Sequence, residues 1–421
     1  MHEPPSQPGR PSQTERLALL VVVAVAYLAL PMFPGEAGRP VTHFQQLADA
    51  FAHGRLSLEV SPAEAARPHN LDELIPAAQA DRYYCAYPPL PAVLLVPWTV
   101  LTGTAGSVAT ACRLLSLLNV WLFAACLWRL PRALNWTDFS AGARIVLTLF
   151  FALGTACWHN AEMGGDWHLA HAVALAAMLL ALREFLAADR PLIVGCFVAL
   201  AVLTRPTAAL AAVFFVIPAI RRRRISDLLK LIAAPAIAVL LLAAYNYARF
   251  GNPADFGYDR MLLQGTGREL MDRFGQFHPH FVPRNAFWFF LAPPWSLSGG
   301  RFPYLGFDRR GLSLFIASPA MLYAFLALRR HRRQPLVRDA LLGIVICLVP
   351  LLLYFNTGFV QFGHRFSLDY LPLLMILVVA GIGPRPTRLA HAAILVSIAV
   401  QAVGVMLFPV ATLPPWLAPG P

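Results

Sequence analysis

Three segments of one long polar stretch decide how this chain is organised: HFQQLADAFAHGRLSLEV (residues 43–60), HNLDELIPAAQADRYY (69–84) and YPPLPAVLLVPW (87–98). They carry ionisable residues in a chain of which 58% is hydrophobic and only 13% is charged. Soluble globular proteins carry about 25% charged residues. The 421 residues are therefore predicted to form an all-α polytopic membrane protein, with the polar stretch on one side of the membrane.

About eleven apolar segments are predicted to cross the membrane, at residues 17–33, 107–130, 143–159, 167–186, 191–203, 207–220, 228–247, 311–328, 339–355, 368–382 and 388–410. Segment 87–103 is apolar as well, but it contains Pro88, Pro89, Pro91 and Pro97. Because proline removes a backbone donor and disturbs a spanning helix, we predict a juxtamembrane or re-entrant helix there.

The positive charges support this interpretation of segment 87–103. If it does not cross, the arginine-rich turns at residues 10–16, 129–144, 183–190, 221–230, 329–338 and 385–388 all lie on one side. Short cytoplasmic loops are rich in Lys and Arg, so the N-terminus is predicted to be inside and the C-terminus outside. The net charge of +12 then reflects the orientation of the chain in the membrane. The sequence has no basic helix face, so it does not indicate a nucleic-acid partner.

The predicted organisation has three parts. Residues 1–16 form a disordered cytoplasmic N-terminus, 17–410 a transmembrane domain with outer loops 34–106 and 248–310, and 411–421 a short exoplasmic tail. Run 17–33 has no small-residue cleavage site, so it is expected to remain as the first span. Spans 191–203 and 207–220 are short, and one long kinked helix is the alternative. We expect a multi-pass protein of the bacterial inner membrane.

Two carboxylates are candidate catalytic groups. Asp49 lies on a predicted amphipathic helix with His43, where a solvated polar face is the alternative. Asp166 lies in the turn WHNAEMGGDWHLAH (158–171), at the start of a helix. With His168 and His171 it could bind a divalent cation. Substrate contact by the carboxylate and simple helix capping are the other interpretations.

Ionisable residues inside membrane segments indicate functional sites. Arg205 lies in LTRPT (203–207), and His364, Arg365 and Asp369 lie in QFGHRFSLDY (361–370). Guanidinium groups bind phosphate oxygens through two parallel hydrogen bonds, so both arginines are candidate phosphate ligands. Lipid headgroup contact or pairing with Asp369 is the alternative. No nucleotide-binding or metalloprotease motif is present.

Taken together, several motifs resemble the GT-C superfamily of polytopic glycosyltransferases. The motifs are HFQQLADAFAHGRL (43–56), YYCAYPPLPAVLLVP (83–97), RLLSLLNV (113–120), LTRPT, YNYARFGNP (245–253) and QFGHRFSLDYLPLL (361–374). The resemblance is greatest to the protein-mannosyltransferase and aminoarabinose-transferase-like branch, which is glycosyltransferase family 39-like. It implies a GT-C-like fold in which segment 87–103 is a juxtamembrane helix.

The resemblance also implies an activity: transfer of a sugar from a polyprenyl-phosphate donor to a lipid, glycan or protein acceptor at the outer face. A carboxylate just after the first span usually activates the acceptor in that family, but the matching stretch RPVTHFQQ (39–46) contains no acid. Asp49 or Asp166 is therefore expected to act instead. The residues expected to bind the substrate or its phosphate are His43, Tyr87, His168, Arg205, His364, Arg365 and Asp369.

Two further classes stay open from the sequence. One is a transporter or lipid-handling membrane protein without chemistry, whose usual sign is charged or broken helices at mid-membrane. The other is an inactive GT-C-like protein. The sequence does not specify the sugar or the acceptor.

Overall fold

The computed structural model describes residues 13–28, 42–66, 73–104, 106–293, 296–297, 305–306, 308, 310–359 and 361–412. Within these ranges the fold is all-α apart from two small sheets, as predicted. Most of the predicted disordered N-terminus and of the exoplasmic tail lies outside the described residues.

The α-helices follow one another along the whole chain. They are α1 (Gln13–Leu28), α2 (His43–Ala52), α3 (Pro62–Ala65), α4 (Leu90–Thr102), α5 (Val108–Leu127), α6 (Leu130–Ala133), α7 (Ala141–Leu153), α8 (Ala156–Met163), α9 (Asp166–Ala187), α10 (Pro191–Val202), α11 (Pro206–Leu210), α12 (Val213–Arg221), α13 (Ile225–Phe250), α14 (Gly265–Phe274), α15 (Val282–Ala286), α16 (Leu314–Ala317), α17 (Tyr323–His331), α18 (Pro335–Leu353), α19 (Leu371–Ile382) and α20 (Arg388–Thr412). A π-helical turn (Phe287–Leu291) follows α15, and a 3₁₀ turn (Arg365–Asp369) precedes α19.

Among the described residues, five helices are long and apolar enough to cross a membrane: α5, α9, α13, α18 and α20. The bent pair α7 and α8 makes a sixth when it is counted as one span. Shorter apolar helices lie at Leu17–Leu28, Leu90–Thr102, Pro191–Val202, Pro206–Arg221 and Leu371–Ile382. These helices support a multi-pass integral membrane protein, and the count of eleven spans stays a prediction.

Predicted spans 143–159, 207–220 and 311–328 are each divided between two helices in the structure. Segment 143–159 bends by 46° between α7 and α8. There Thr155 donates to the Phe151 carbonyl at 2.6 Å, and its hydroxyl accepts from the Cys157 amide, so one helix ends and the next begins. Segment 311–328 is divided between α16 and α17, because Pro319 starts a separate 3₁₀ turn between them.

Helix α4 occupies the proline-rich segment 87–103. Its 13 residues extend over about 20 Å at 1.5 Å per residue, which is less than the roughly 30 Å hydrocarbon thickness of a bilayer. The helix packs against α2, and the Leu90 amide donates to the Leu203 carbonyl at 3.2 Å. One face stays exposed and apolar, with Trp98 and Leu101 on it. This geometry agrees with a helix that lies on the membrane without crossing it.

The first outer loop folds as a unit against α9. Strands β1 (Leu58–Glu59), β2 (Leu74–Pro76) and β3 (Arg82–Cys85) form an antiparallel sheet in the order β1-β3-β2. Leu74 lies opposite Cys85, and the Ala86 amide donates to the Glu73 carbonyl at 2.9 Å. A buried apolar cluster that includes Phe44, Leu47, Leu58, Leu74, Cys85 and Leu169 joins the loop to α9.

Cysteine labelling tests the predicted orientation. Only Cys196 among the six cysteines is exposed, so Cys196→Ser gives a low background. We expect Ala63→Cys and Thr104→Cys, which flank α4, to react with an impermeant maleimide from the outside. Arg223→Cys, in the arginine-rich turn, should react only from the inside. Reaction of Ala63→Cys and Thr104→Cys from opposite sides would show that α4 crosses the membrane.

Candidate functional site

A buried cluster of two carboxylates and one histidine lies where the first outer loop meets α9. His43 Nδ1 contacts the Glu73 carboxylate and lies 3.6 Å from Asp166 Oδ2. All three side chains are almost fully buried. They come from three separate elements: the start of α2, the residue before β2 and the first turn of α9. A polar cluster assembled from distant segments inside a largely apolar protein is typical of a functional site.

Asp166 connects the cluster to the membrane helices. Its carboxylate accepts the backbone amides of His43 at 3.0 Å and of Phe44 at 3.1 Å. Gly165, and not Asp166, occupies the N-cap position of α9. Asp166 therefore caps the N-terminus of α2, where unsatisfied amides and the helix dipole favour a negative charge. The sequence left several roles open for Asp166, but it did not predict that Asp166 would cap a distant helix.

Gly164 allows this approach. Gly164 has φ +60°, a left-handed conformation that glycine adopts without strain. A Cβ at Gly164 would lie 2.8 Å from the Ala109 side chain of α5. The sequence GGD (164–166) thus ends α8, passes close to α5 and starts α9 at the acid cluster.

An aromatic and cationic row continues from the acid cluster. Trp167, the neighbour of Asp166, donates its indole N–H to the Tyr87 hydroxyl. The Arg365 guanidinium lies 4.7 Å from the centre of the Trp167 ring. The Arg365 backbone amide donates to Gln361 Oε1 at 3.1 Å, which fixes the start of the 3₁₀ turn. Tyr87 and Arg365 therefore lie close to Asp166, although the three residues come from different segments.

Arg205 and Asp369 form a buried two-point ion pair. Arg205 Nε and Nη2 donate to the two Asp369 oxygens at 2.7 and 2.8 Å. The Thr207 hydroxyl donates to Asp369 Oδ2 at 2.7 Å, and His171 Nδ1 lies 3.1 Å from Oδ1. The pairing that the sequence offered as the alternative for Arg205 is thus present, and the side-on edge of its guanidinium is occupied by protein.

His364 lies beside this ion pair. Its ring stacks on Phe289 with centres 3.7 Å apart, and burial lowers its pKa to about 3. His364 is consequently neutral at physiological pH. His168 is also buried, and neither of its ring nitrogens has a hydrogen-bond partner among the described residues. Both imidazoles remain suited to hydrogen bonding with a polar ligand.

Asp49 lies away from the buried cluster. It is six residues beyond His43, so it is displaced by about 9 Å along α2. Its side chain is 47% exposed and pairs with Arg55 at 3.3 Å and His53 at 3.4 Å. Arg205 and Arg365 both lie over the Phe366 ring, and Arg365 also contacts Trp167, the neighbour of Asp166. Asp49 belongs instead to the solvated face that the sequence offered as its alternative.

The donor types for a divalent cation occur together at His43, Glu73 and Asp166. One ligand atom from each residue lies within 4.8 Å of the others. The predicted set of Asp166, His168 and His171 is arranged differently, since Asp166 faces α2 while His171 faces Asp369. Among the residues that the structure describes, a cation would therefore find its ligands at the first set.

Sequence reasoning missed Glu73, Arg113 and Arg249. Glu73 belongs to the adjacent acids of LDEL (71–74) in the first outer loop, and that acid pair was the available signal. Arg113 of RLLSLLNV forms a buried ion pair with Glu162 at 2.6 Å, which joins α5 to α8. Arg249 of YNYARFGNP is buried in the last turn of α13. Both arginines belong to motifs that contributed to the family resemblance but gave no role for the individual residues.

The comparisons with known proteins agree with this fold. The model of glycosyltransferase family 87, a GT-C-type family, matches residues 84–275, somewhat less than half of the chain. The crystal structure of ArnT from Cupriavidus metallidurans, bound to undecaprenyl phosphate, is similar with a TM-score of 0.51 at 17% identity. That alignment covers 96% of this chain and 67% of ArnT.

A second solved structure is the apo oligosaccharyltransferase of Archaeoglobus fulgidus, with a TM-score of 0.43 and 14% identity. It covers 95% of this chain, which spans only 55% of that enzyme. A search of curated protein sequences finds no match. The matched family is 87, whereas the motifs resembled a family 39-like branch.

The apolar helices and the similarity to ArnT show a polytopic membrane protein with a GT-C-like fold. The chain has the fold of the GT-C superfamily, and the family match supports a membrane glycosyltransferase of that type.

The Arg205–Asp369 pair should matter chiefly for folding. Asp369→Asn leaves a buried guanidinium without its counter-charge, which typically costs about 3–5 kcal/mol. We expect a clear fall in the thermal unfolding midpoint in detergent. Asp308→Asn breaks a half-exposed pair with Arg310 and should change the midpoint little. An Arg205→Met/Asp369→Leu double variant should recover much of the loss, and equal midpoints for Asp369→Asn and Asp308→Asn would contradict the assignment.

Proposed function

We propose that this protein transfers a sugar from a polyprenyl-phosphate donor to an acceptor hydroxyl at the outer face of the membrane. The observation that carries the proposal is the buried Glu73–His43–Asp166 cluster at the junction of the first outer loop and α9. ArnT, the similar structure above, is described as bound to undecaprenyl phosphate. Undecaprenyl phosphate is what remains of a donor of this type after its sugar has been transferred.

Glu73 is the proposed general base. It uses Oε2 to contact His43, and no donor among the described residues contacts its Oε1. In the reaction, the acceptor hydroxyl gives its proton to Glu73 while its oxygen bonds to the anomeric carbon. The bond from that carbon to the donor phosphate breaks, and the phosphate leaves with the electron pair. A carboxylate held in place by a histidine needs little reorganisation for this step.

His43 and Asp166 act as positioning residues in this proposal. Asp166 fixes the first turn of α2 through two amides, and that turn carries His43. His43 in turn orients the Glu73 carboxylate. Tyr87, His168, His364 and Arg365 are the proposed contacts for the sugar and its phosphate.

Substitution of the cluster tests the assignment. Glu73→Gln keeps the size of the side chain but removes the base, so we expect transfer to fall by about 10²- to 10⁴-fold. Asp166→Asn should also impair transfer. The asparagine side chain is uncharged and has one acceptor oxygen, so it cannot accept hydrogen bonds from both backbone amides of α2 as the carboxylate does. Asp49→Asn is the matched control on the exposed face of α2 and should leave transfer nearly unchanged.

The measurement is release of polyprenyl phosphate from a panel of radiolabelled polyprenyl-phosphate sugars by protein in nanodiscs, with membrane extract as acceptor. Full activity of Glu73→Gln would exclude it as the base. A loss with Asp49→Asn alone would return the catalytic role to Asp49. No transfer by the wild-type chain from any donor in the panel would favour the non-catalytic alternative.

Chelation separates proton transfer from metal catalysis at the same three residues. Since Glu73 already contacts His43, and Asp166 already accepts two backbone amides, we expect EDTA treatment to leave transfer unchanged. Calcium-, magnesium- and manganese-loaded samples serve as the comparison. Loss of activity with EDTA and its recovery with one cation would instead make the cluster a metal centre.

A further inference from the structure

Arg249 is a buried cation without a counter-charge in the described part of the chain. It is only 8% exposed, and no Asp or Glu among the described residues forms an ion pair with it. The C-terminal end of α13 supplies partial negative charge from its last carbonyls, which is less than one full charge. Leaving a buried guanidinium uncompensated is unfavourable, so an anion is expected to bind beside it.

The donors of Arg249 are only partly used. Nη1 donates to the Cys85 carbonyl at 2.9 Å, and Nη2 donates to Asn246 Oδ1 at 2.8 Å. A guanidinium has five N–H donors, so three remain, and the buried Nε has no hydrogen-bond partner. An Nε–H and its neighbouring Nη–H form the side-on edge that binds phosphate oxygens in parallel.

Aromatic rings cover the faces of the guanidinium and leave its edge as the approach for a ligand. The Tyr245 and Phe250 ring centres lie 3.9 and 4.6 Å from the Arg249 Cζ atom. The Tyr245 hydroxyl is also buried without a hydrogen-bond partner among the described residues. Arg249 and Tyr245 thus provide two kinds of unused, buried donors on side chains that pack against each other.

Arg249 lies close in the fold to the Glu73–His43–Asp166 cluster. It bonds to the Cys85 carbonyl, and the next amide, that of Ala86, bonds to the Glu73 carbonyl. Arg249 and Arg205 both act electrostatically on Tyr258, where they oppose the rise in pKa that burial causes. Arg205 is neutralised by Asp369, whereas no carboxylate among the described residues pairs with Arg249. A group bound at Arg249 would therefore lie next to the strand that holds the proposed base.

We propose that Arg249 and Tyr245 bind the phosphate group of a lipid. The ligand would be the phosphate of an isoprenoid carrier or of a phospholipid headgroup, and the first of these rests on the proposed function. The motif YNYARFGNP would then have a binding role. Its Gly251, at φ +70°, ends α13 directly after the arginine and its covering ring.

Binding without turnover tests the site. The probes are farnesyl phosphate, farnesol and dioleoylphosphatidic acid, titrated into the full-length protein in detergent with thermal stability and calorimetry as readouts. We expect farnesyl phosphate to bind and farnesol to bind at least tenfold more weakly. Arg249→Gln should weaken farnesyl phosphate binding at least tenfold. Arg249→Lys keeps the charge without the two-point geometry and should give an intermediate affinity, and Tyr245→Phe should cause a smaller loss.

Arg260→Gln is the matched control. Arg260 is exposed, pairs with Asp255 and also lies over the Phe250 ring at 4.4 Å, so its loss should not change binding. If Arg249→Gln fails to fold, Arg249→Lys and Tyr245→Phe decide the matter. Wild-type affinity in both, or no binding of either lipid phosphate by the wild-type protein, overturns the inference.

The two lipid arms separate the inference from the proposed function. Arg249-dependent binding of phosphatidic acid but not of farnesyl phosphate supports the site with a headgroup as its ligand, and counts against the isoprenoid donor. Unchanged farnesyl phosphate binding in every Arg249 and Tyr245 variant, with transfer still dependent on Glu73, overturns the site and leaves the proposed function standing.

Discussion

The capping of α2 by Asp166 is the contact on which the arrangement of the outer face depends. Two backbone amides at the start of a loop helix donate to a carboxylate at the start of a membrane helix, at 3.0 and 3.1 Å. The helix dipole and the two hydrogen bonds stabilise the charge and offset part of the desolvation of a buried carboxylate. Without Asp166, α2 would still have its apolar contacts with α9, but the turn that carries His43 would lose its two hydrogen bonds to α9.

The sheet of the first outer loop completes this arrangement. Because β2 pairs with β3, the residue before β2 is held beside the residue after β3. Glu73 therefore approaches His43 through backbone pairing, and not through a flexible side chain alone. The apolar cluster beneath the sheet includes residues of α2, α4 and α9, so the loop, the juxtamembrane helix and the span pack as one structure.

Composition and hydropathy were sufficient to predict a helical membrane protein, and the proline positions singled out the short helix near residue 90. These signals are local, and they act wherever the segment lies. The Glu73–His43 contact joins residues 30 apart, and Asp166 lies 123 residues from His43. No local pattern encodes those distances. LDEL lies well beyond the first span in the sequence, and only the fold brings its Glu73 to His43.

Spacing on one helix was similarly informative only in part. His168 and His171 are three residues apart, which places them on one face of α9, and both are buried. What lies opposite that face is a tertiary property. His171 meets Asp369, which already holds Arg205, while Asp166 meets the start of α2. The predicted cation set followed the helix spacing and could not include the partner elements.

The arginines of the outer half differ in what they can still bind. Arg205 gives Nε and Nη2 to Asp369, and Arg113 gives Nη2 to Glu162. A guanidinium compensated in this way stabilises the protein and gains little by exchanging its carboxylate for a phosphate, since the freed acid would stay buried. Arg249 has no paired carboxylate among the described residues that a phosphate would have to displace. Burial makes an unpaired guanidinium unfavourable, and an anion that binds there adds the missing charge. For the same reason, burial makes the site selective for a negatively charged ligand.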